Sequence, residues 1–517
     1  MIYLALIAVA TLLVLFVRQR YNYWKVRGVP YLDPVFPAGN VWGLGTRLHP
    51  SEVLQKCYDK LKGKGPFGGV FFFLGPTVLA TDLDFIKTIL VKDFQYFHDR
   101  SFYYNEKDDP LTGHLFTIEG QRWKNLRAKL TPTFTSGKMK LMFPIVSDVA
   151  AELKKCLVTE KDDGGEVELK DVLARYTTDV IGKCAFGLDC NSLENPNAEF
   201  REMGRKIFTT TPLSIIKLFF VQQIKPLAQK LGVTVLNQEV TKYFLKAVKD
   251  TVEYRESNNV ERNDFMNLLI KLKNAEPVEE GSSRPMEKLS LNEISAQAFV
   301  FFFAGFETSS TLMSFCLYEL AMNQELQDRA RKNVRDVLNQ HGSLTYEAIH
   351  GMKYLENCIF GITSIKSPFQ PLNHPLLSET LRIYPPASIL FRIATQDYRV
   401  PNTDFTIEKG TATNIPVLAI HRDPELYPDP MKFDPERFNP DQVAKRHPFA
   451  FLPFGEGPRV CIGMRFALMQ TRVGLATLLQ NFRFRISSRT PIPPKIVPSS
   501  GLFVPQDNFW LSIERIE

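Results

Sequence analysis

No Cys-x-x-Cys or His-Glu-x-x-His spacing occurs in the 517 residues, which argues against a zinc site. Cysteine is sparse: Cys57, Cys156, Cys184, Cys190, Cys316, Cys358 and Cys461 are odd in number and scattered. Such a set makes no disulfide framework and suits a reducing compartment, most thiols serving as small buried apolar groups. An arginine-rich run or a basic stripe interleaved with aromatics is missing as well. The net charge of +7 is therefore too diffuse for nucleic acid and fits an anionic membrane surface or an acidic partner. Low-complexity linkers and internal repeats are absent. With 44% hydrophobic and 23% charged residues, the chain is globular and has ample material for a large core.

Charge is absent from Met1 to Val17, and Arg18, Arg20, Lys25 and Arg27 follow. A cleaved signal peptide has its basic residues first and a small-residue cleavage site. Here the order is reversed, which reads as an uncleaved anchor over residues 1–17 with the following chain in the cytoplasm. Residues 18–50 are basic and then proline-rich (Pro30, Pro34, Pro37) and read as a stiff linker. The remainder, 51–517, reads as one domain, mainly α with small β-sheets. The β signals lie at 69–80 and 388–417.

Ser290 and Glu293 have capping-box spacing. The spacing predicts a helix from Leu291 to about Met322, some 45–50 Å long, crossing the whole domain. Gly305 inside it costs roughly 1 kcal/mol relative to Ala and needs a local reason.

Phe454-Gly455-Glu456-Gly457-Pro458-Arg459-Val460-Cys461-Ile462-Gly463 has the form Phe-x-x-Gly-x-Arg-x-Cys-x-Gly. A chance match in a chain of this length is rarer than roughly one in a thousand. Glycines and a proline form a tight loop ahead of a helix-compatible run, so Cys461 sits at a helix start, where backbone N–H groups favour a thiolate. The loop resembles the haem-binding loop of the cytochrome P450 superfamily, and the likeness extends over nearly all the chain after the anchor. The nearest likeness is to the insect microsomal branch that handles foreign compounds (family six). It rests on Phe97-His98-Asp99-Arg100, on the stretches 103–111 and 130–139, and on Ala304-Gly305-Phe306-Glu307-Thr308-Ser309.

The resemblance implies a haem-thiolate monooxygenase fold with haem b (iron protoporphyrin IX) on Cys461 as metal ligand. Phe454 and Gly463 would frame the haem, Gly463 allowing close approach. Arg459, Trp123, Arg127 and Arg392 would meet its propionates. Ala304 and Gly305 would leave room for dioxygen, and Glu307 and Thr308 would deliver protons. Glu379 and Arg382, three apart on a helix, would join Arg437 in a structural network. Implied partners are an NADPH-dependent flavoprotein reductase, a small b-type cytochrome, membrane lipid and small apolar substrates such as plant toxins and insecticides. The implied location is the endoplasmic reticulum membrane with the domain facing the cytoplasm. From Cys461 to Glu517 there is no room for a flavin domain, and Gly43-x-Gly45 opens no dinucleotide site, so electrons are expected from outside.

One departure stands out. Phe360 to Leu377, with Pro368, Pro371 and Pro375, separates Ile359 from the Glu379 helix. Without it, Leu355, Ile359 and Leu381 fall four apart on one helix face. The stretch reads as an insertion, expected to be an irregular surface excursion. It leaves open a haem-binding protein impaired in catalysis. A haem-thiolate isomerase or dehydratase that uses no dioxygen is opposed by Thr308.

Overall fold

The structure is a computed structural model and describes residues 1–160, 165–208, 217–218, 221–276, 288–352, 354, 375–506 and 509–516. Helix α1 (Ile2–Tyr21) has no buried residue, and residues 1–16 are all exposed. Its apolar side chains up to Phe16 are exposed, and only its end touches the domain, where the Tyr21 ring lies 5.3 Å from Phe71. It runs to Tyr21, slightly beyond the charge-free stretch.

Part of the expected stiff linker, 18–50, is packed against the domain. Trp24 is 1% exposed, its indole N–H donates to the Val70 carbonyl (3.1 Å), and Val29 and Val41 are buried. Backbone bridges join Tyr31 to Gly69 and Gly39 to Phe72. The local reason is Gly69, where a Cβ would stand 2.4 Å from the Trp24 ring. The missing side chain opens the slot that the indole fills.

Helix α2 (Pro50–Leu61) is capped by His49 and leads into β1 (Phe67–Phe72) and β2 (Gly75–Ala80). Helices α3 (Gly120–Leu130) and α4 (Ser136–Glu160) precede β3 (Glu166–Glu168) and α5 (Leu169–Ile181). Then come α6 (Glu199–Phe208), α7 (Gln238–Ser257), α8 (Phe265–Lys273), α9 (Leu291–Met322) and α10 (Gln324–His341). Helix α11 (Pro375–Ile383), β4 (Leu390–Ile393), β5 (Ala412–Ile415), α12 (Met464–Asn481), β6 (Phe482–Ile486) and β7 (Trp510–Arg515) complete the main elements.

Four strands form a sheet in the order β1-β2-β5-β4, with β2 and β5 parallel (Thr77 opposite Ala412) and β5 and β4 antiparallel (Thr413 opposite Arg392). A second sheet has the order β3-β7-β6. One hydrophobic core surrounds α9; another lies under the four-stranded sheet and includes Trp24. The mainly-α architecture with small sheets is the one the sequence predicts.

Helix α9 has the predicted bounds. The Ser290 hydroxyl accepts from the Glu293 N–H (3.2 Å), and the Glu293 carboxylate accepts from the Ser290 N–H (2.9 Å). The expected insertion falls largely outside the described residues. Its last three positions differ from expectation: α11 starts at Pro375, and Leu376 and Leu377 are fully buried. Proline is well placed there, since the first turn of a helix needs no backbone donor.

Candidate haem-thiolate site

The loop before α12 is shaped by its glycines. Gly457 has φ +74°, and a Cβ there would lie 1.9 Å from the Leu90 carbonyl oxygen, so no other residue fits. The loop closes with the Cys461 N–H donating to the Phe454 carbonyl (3.0 Å). Gly463 is the N-cap of α12. A Cβ on Gly463 would meet only Phe134, at 4.0 Å, so open space lies beside the loop.

Cys461 keeps accessible surface, yet burial is the largest influence on its thiol and pushes its pKa up. Together these place it on the wall of an interior space rather than on the outer surface. The Gly463 N–H and the charges of Arg127 and Arg100 pull in the opposite direction, toward thiolate.

Cations gather around it. Arg392 is 3% exposed, and its Nε has no hydrogen-bond partner. Burial and the charges of Arg100 and Arg459 push its guanidinium well down. Burial, with Arg127 beside it, lowers Arg100 to about 10. All remain charged at neutral pH. A buried wall of positive charge with an orphaned donor is the environment that two carboxylates would satisfy. Arg100, Arg127 and Arg392 fit the propionates of a haem, and Cys461 fits its iron.

Arg100 is the residue that reading the sequence missed. It stood inside the quoted Phe97–Arg100 motif, but no helix or glycine pattern tied it to the Cys461 loop. Arg459 stands beside Arg100 and Arg127 and is bonded on its other sides. It donates to the carbonyls of His98 (2.8 Å) and Ile118 (3.1 Å), approaches Asp99 at 3.3 Å, and stacks over Trp123 with its guanidinium carbon 4.0 Å from the ring centroid. It braces the wall and holds Trp123, which is 5% exposed.

On α9, Phe301, Phe303, Ala304, Gly305 and Thr308 are the accessible positions between 301 and 310, and all but Phe303 recur at the three- and four-residue spacing of one helix face, while most of the helix is buried. Ala304 is exposed in mid-helix, again as on the wall of an interior space. The Thr308 hydroxyl donates to the Ala304 carbonyl (2.7 Å). Gly305 has a packing reason besides the expected opening: a Cβ there would lie 2.6 Å from Ile181 of α5. Glu307 points to the α5 side, 3.1 Å from Lys170, with both side chains less than one-fifth exposed.

The expected network is assembled. Arg382 grips Glu379 with two bonds of 2.7 Å, both side chains fully buried, and Arg437 stands 3.5 Å from the same carboxylate. The Arg382 guanidinium also donates to the His421 carbonyl (2.9 Å), and His421 Nε2 accepts from the Leu452 N–H (2.8 Å). Burial lowers the His421 pKa to about 3, so the ring stays neutral and that nitrogen stays an acceptor. The chain of bonds thus runs from α11 to the residue two before Phe454.

A family model described as cytochrome P450 matches residues 29–360 and 371–513; the match is interrupted inside the stretch expected as an insertion. The chain is 45% identical to the probable cytochrome P450 6a14 of Drosophila melanogaster over 505 residues, 96% of each protein. It is 44% identical to cytochrome P450 6A1 of Musca domestica over 517 residues, covering 99% of this chain and 97% of the relative. Cytochrome P450 6a2 of Drosophila melanogaster is 44% identical over 523 residues, with 100% of this chain and 99% of the relative covered.

Proposed function

The chain belongs to the cytochrome P450 family of monooxygenases, and from that premise we propose that it inserts one atom of dioxygen into small apolar foreign compounds, with electrons from NADPH through a separate flavoprotein reductase. The observation that supports this reading is Cys461, accessible yet governed by burial and faced by the charges of Arg127 and Arg100, with the buried Arg392 beside Arg100 keeping an orphaned Nε. When bound there, haem b supplies the activation of dioxygen, which a thiolate ligand promotes.

The protein's own residues do the rest. The Gly463 N–H steadies the Cys461 sulfur, and Arg100, Arg127 and Arg392 offset the propionates. Phe102, Phe116 and Phe391 form an aromatic corner, with Phe102 5.3 Å from each of the other two rings, and give an apolar substrate a surface to lie on. Thr308 holds a proton on a hydroxyl facing this space, and Glu307 carries the nearest carboxylate along the helix. For a proton to pass from Glu307 to Thr308, Glu307 must turn away from Lys170.

The exposed apolar α1 and the basic residues after it support anchoring in the endoplasmic reticulum membrane with the domain on the cytoplasmic side. A small b-type cytochrome would act as a second electron donor.

The test is spectroscopic. Reduced, carbon monoxide-bound wild type is expected to show a thiolate-type Soret band that Cys461→Ser loses. A Cys461→Ser protein that kept the band would refute the ligand assignment. NADPH-dependent turnover of a panel of apolar compounds with added reductase then separates an oxygenase from a haem carrier.

A further inference from the structure

Behind the face of α9 that carries Ala304 and Thr308, the helix is gripped by side chains of α5 and α12. The Gln470 amide of α12 donates to the Gly305 carbonyl (3.0 Å) and to the Ser309 hydroxyl (2.6 Å). The Thr177 hydroxyl of α5 has carbonyls of its own helix at 3.2 Å, but its nearest acceptor is the Phe306 carbonyl of α9, at 2.9 Å. Beside it, the Tyr176 hydroxyl donates to the Gln470 carbonyl (3.0 Å) and so ties α5 to α12. Tyr176, Thr177 and Gln470 are fully buried, and Ser309 is 1% exposed. The nitrogen of the Gln470 amide is the end that faces α9, because its oxygen there would set two acceptors 3.0 Å apart at Gly305.

These bonds converge on one helical turn. Gly305 opens it, Ser309 closes it, and Gln470 holds both. Thr308 lies between them on the accessible side, with its hydroxyl on the Ala304 carbonyl (2.7 Å). The successive carbonyls of Ala304, Gly305 and Phe306 therefore each have a side-chain donor of their own. Such donors compete with the N–H groups of the helix ladder and loosen the turn they act on. Glycine at 305 adds backbone freedom at the same point. A turn loosened in this way owes its orientation to the cross-helix bonds. A displacement well below the length of a bond is enough to spoil the delivery of a proton, since that depends on hydrogen-bond reach.

We propose that Gln470 and Thr177 are positioning residues for Thr308: from the buried side of α9 they hold the Gly305–Ser309 turn so that the Thr308 hydroxyl keeps its place on the accessible side, and they thereby set how much of the electron supply ends in product. Neither side chain has surface from which to touch a substrate, so their effect falls on coupling and not on substrate affinity.

The inference rests on the haem-thiolate reading with Thr308 as proton donor, and the experiment tells the two apart. Peroxide released per NADPH consumed is measured in the haem-loaded full chain with added reductase, using the apolar compound that wild type oxidises fastest. Gln470→Met keeps the length of the side chain and removes the donor; Thr177→Val does the same for the hydroxyl. Each is expected to raise peroxide about threefold while the thiolate-type Soret band and the affinity for the compound stay as in wild type. Thr177→Ser keeps the hydroxyl and is expected to couple like wild type. Adding Gln470→Met to Thr308→Ala is expected to change nothing further, because the amide acts through Thr308. Amide hydrogen exchange over 304–312, measured without turnover, is expected to rise about tenfold in Gln470→Met and Thr177→Val and not in Thr177→Ser. Unchanged peroxide in both donor-free variants would overturn the proposal. So would a further rise in the variant that also carries Thr308→Ala, which marks a general structural defect. If Gln470→Met loses haem, the Thr177→Val and Thr177→Ser pair decides. A wild type with neither the Soret band nor turnover would overturn the haem reading instead, and unchanged exchange over 304–312 would still sink the bracket.

Discussion

Glu319 is a buried carboxyl in the last third of α9, and it has chemistry that no motif announces. The Tyr384 hydroxyl donates to it (2.7 Å), and burial, reinforced by the charge of Glu379, pushes its pKa up to about 7 from an ordinary 4.5. The folded protein therefore keeps a proton between pH 4.5 and 7 that the unfolded chain has released. Raising the pH through that window favours unfolding, and above it the penalty is constant. Glu319→Gln keeps the acceptor for Tyr384 and removes the charge. Its thermal midpoint should match wild type near pH 4.5 and exceed it by a few degrees at pH 8. An equal difference at both pH values would show that the carboxyl does not titrate there. Thr308 poses a question of function rather than stability. Thr308→Ala should retain haem and the thiolate-type spectrum while peroxide released per NADPH consumed rises severalfold, because a proton donor is lost and no ligand. Coupling equal to wild type would remove Thr308 from the relay.

At the level of elements, α1 stands apart because none of its residues is buried, whereas α9, also long and apolar, is mostly buried. Composition alone scores both as long enough to span a bilayer, and packing separates them. Deleting residues 1–20 should shift the protein from the membrane pellet toward the soluble fraction without changing its haem spectrum. The remaining attachment would come from exposed apolar side chains such as Trp42, Leu227 and Leu231. Equal pelleting of both forms would show that α1 is not the main attachment. Trp24 marks how far the truncation can go: its indole is part of the core under the sheet, so removing it would leave a cavity against Gly69.

For the whole molecule, the open matter is the stretch from Phe360 to Leu377. Helix α11 is intact, and its Glu379–Arg382–Arg437 network is complete despite that stretch. Lengthening a connection between two elements adds little beyond slowly growing loop entropy. Joining Ile359 to Ser378 would place Cys358 and Ile359 at the buried helix positions now filled by Leu376 and Leu377. The deletion is therefore expected to keep or raise haem retention and thermal midpoint, and spliced transcripts are expected to lack these codons. Transcripts that all contain them, together with loss of haem on deletion, would make the stretch a working part of the fold. The sequence by itself determined the Cys461 loop, the bounds of α9, the apolar N-terminal helix and the Glu379 network. Each is written in local spacing, and glycine, capping and helix-face rules act within a few residues. Only the tertiary structure decided that Arg100 joins the cationic wall, that Arg459 bonds Asp99 and stacks on Trp123, that Glu307 is held by Lys170, and that Trp24, Val29 and Val41 of the segment after α1 pack into the domain. These depend on which distant segments meet, and whether a charge is satisfied is set by neighbours far away in the chain.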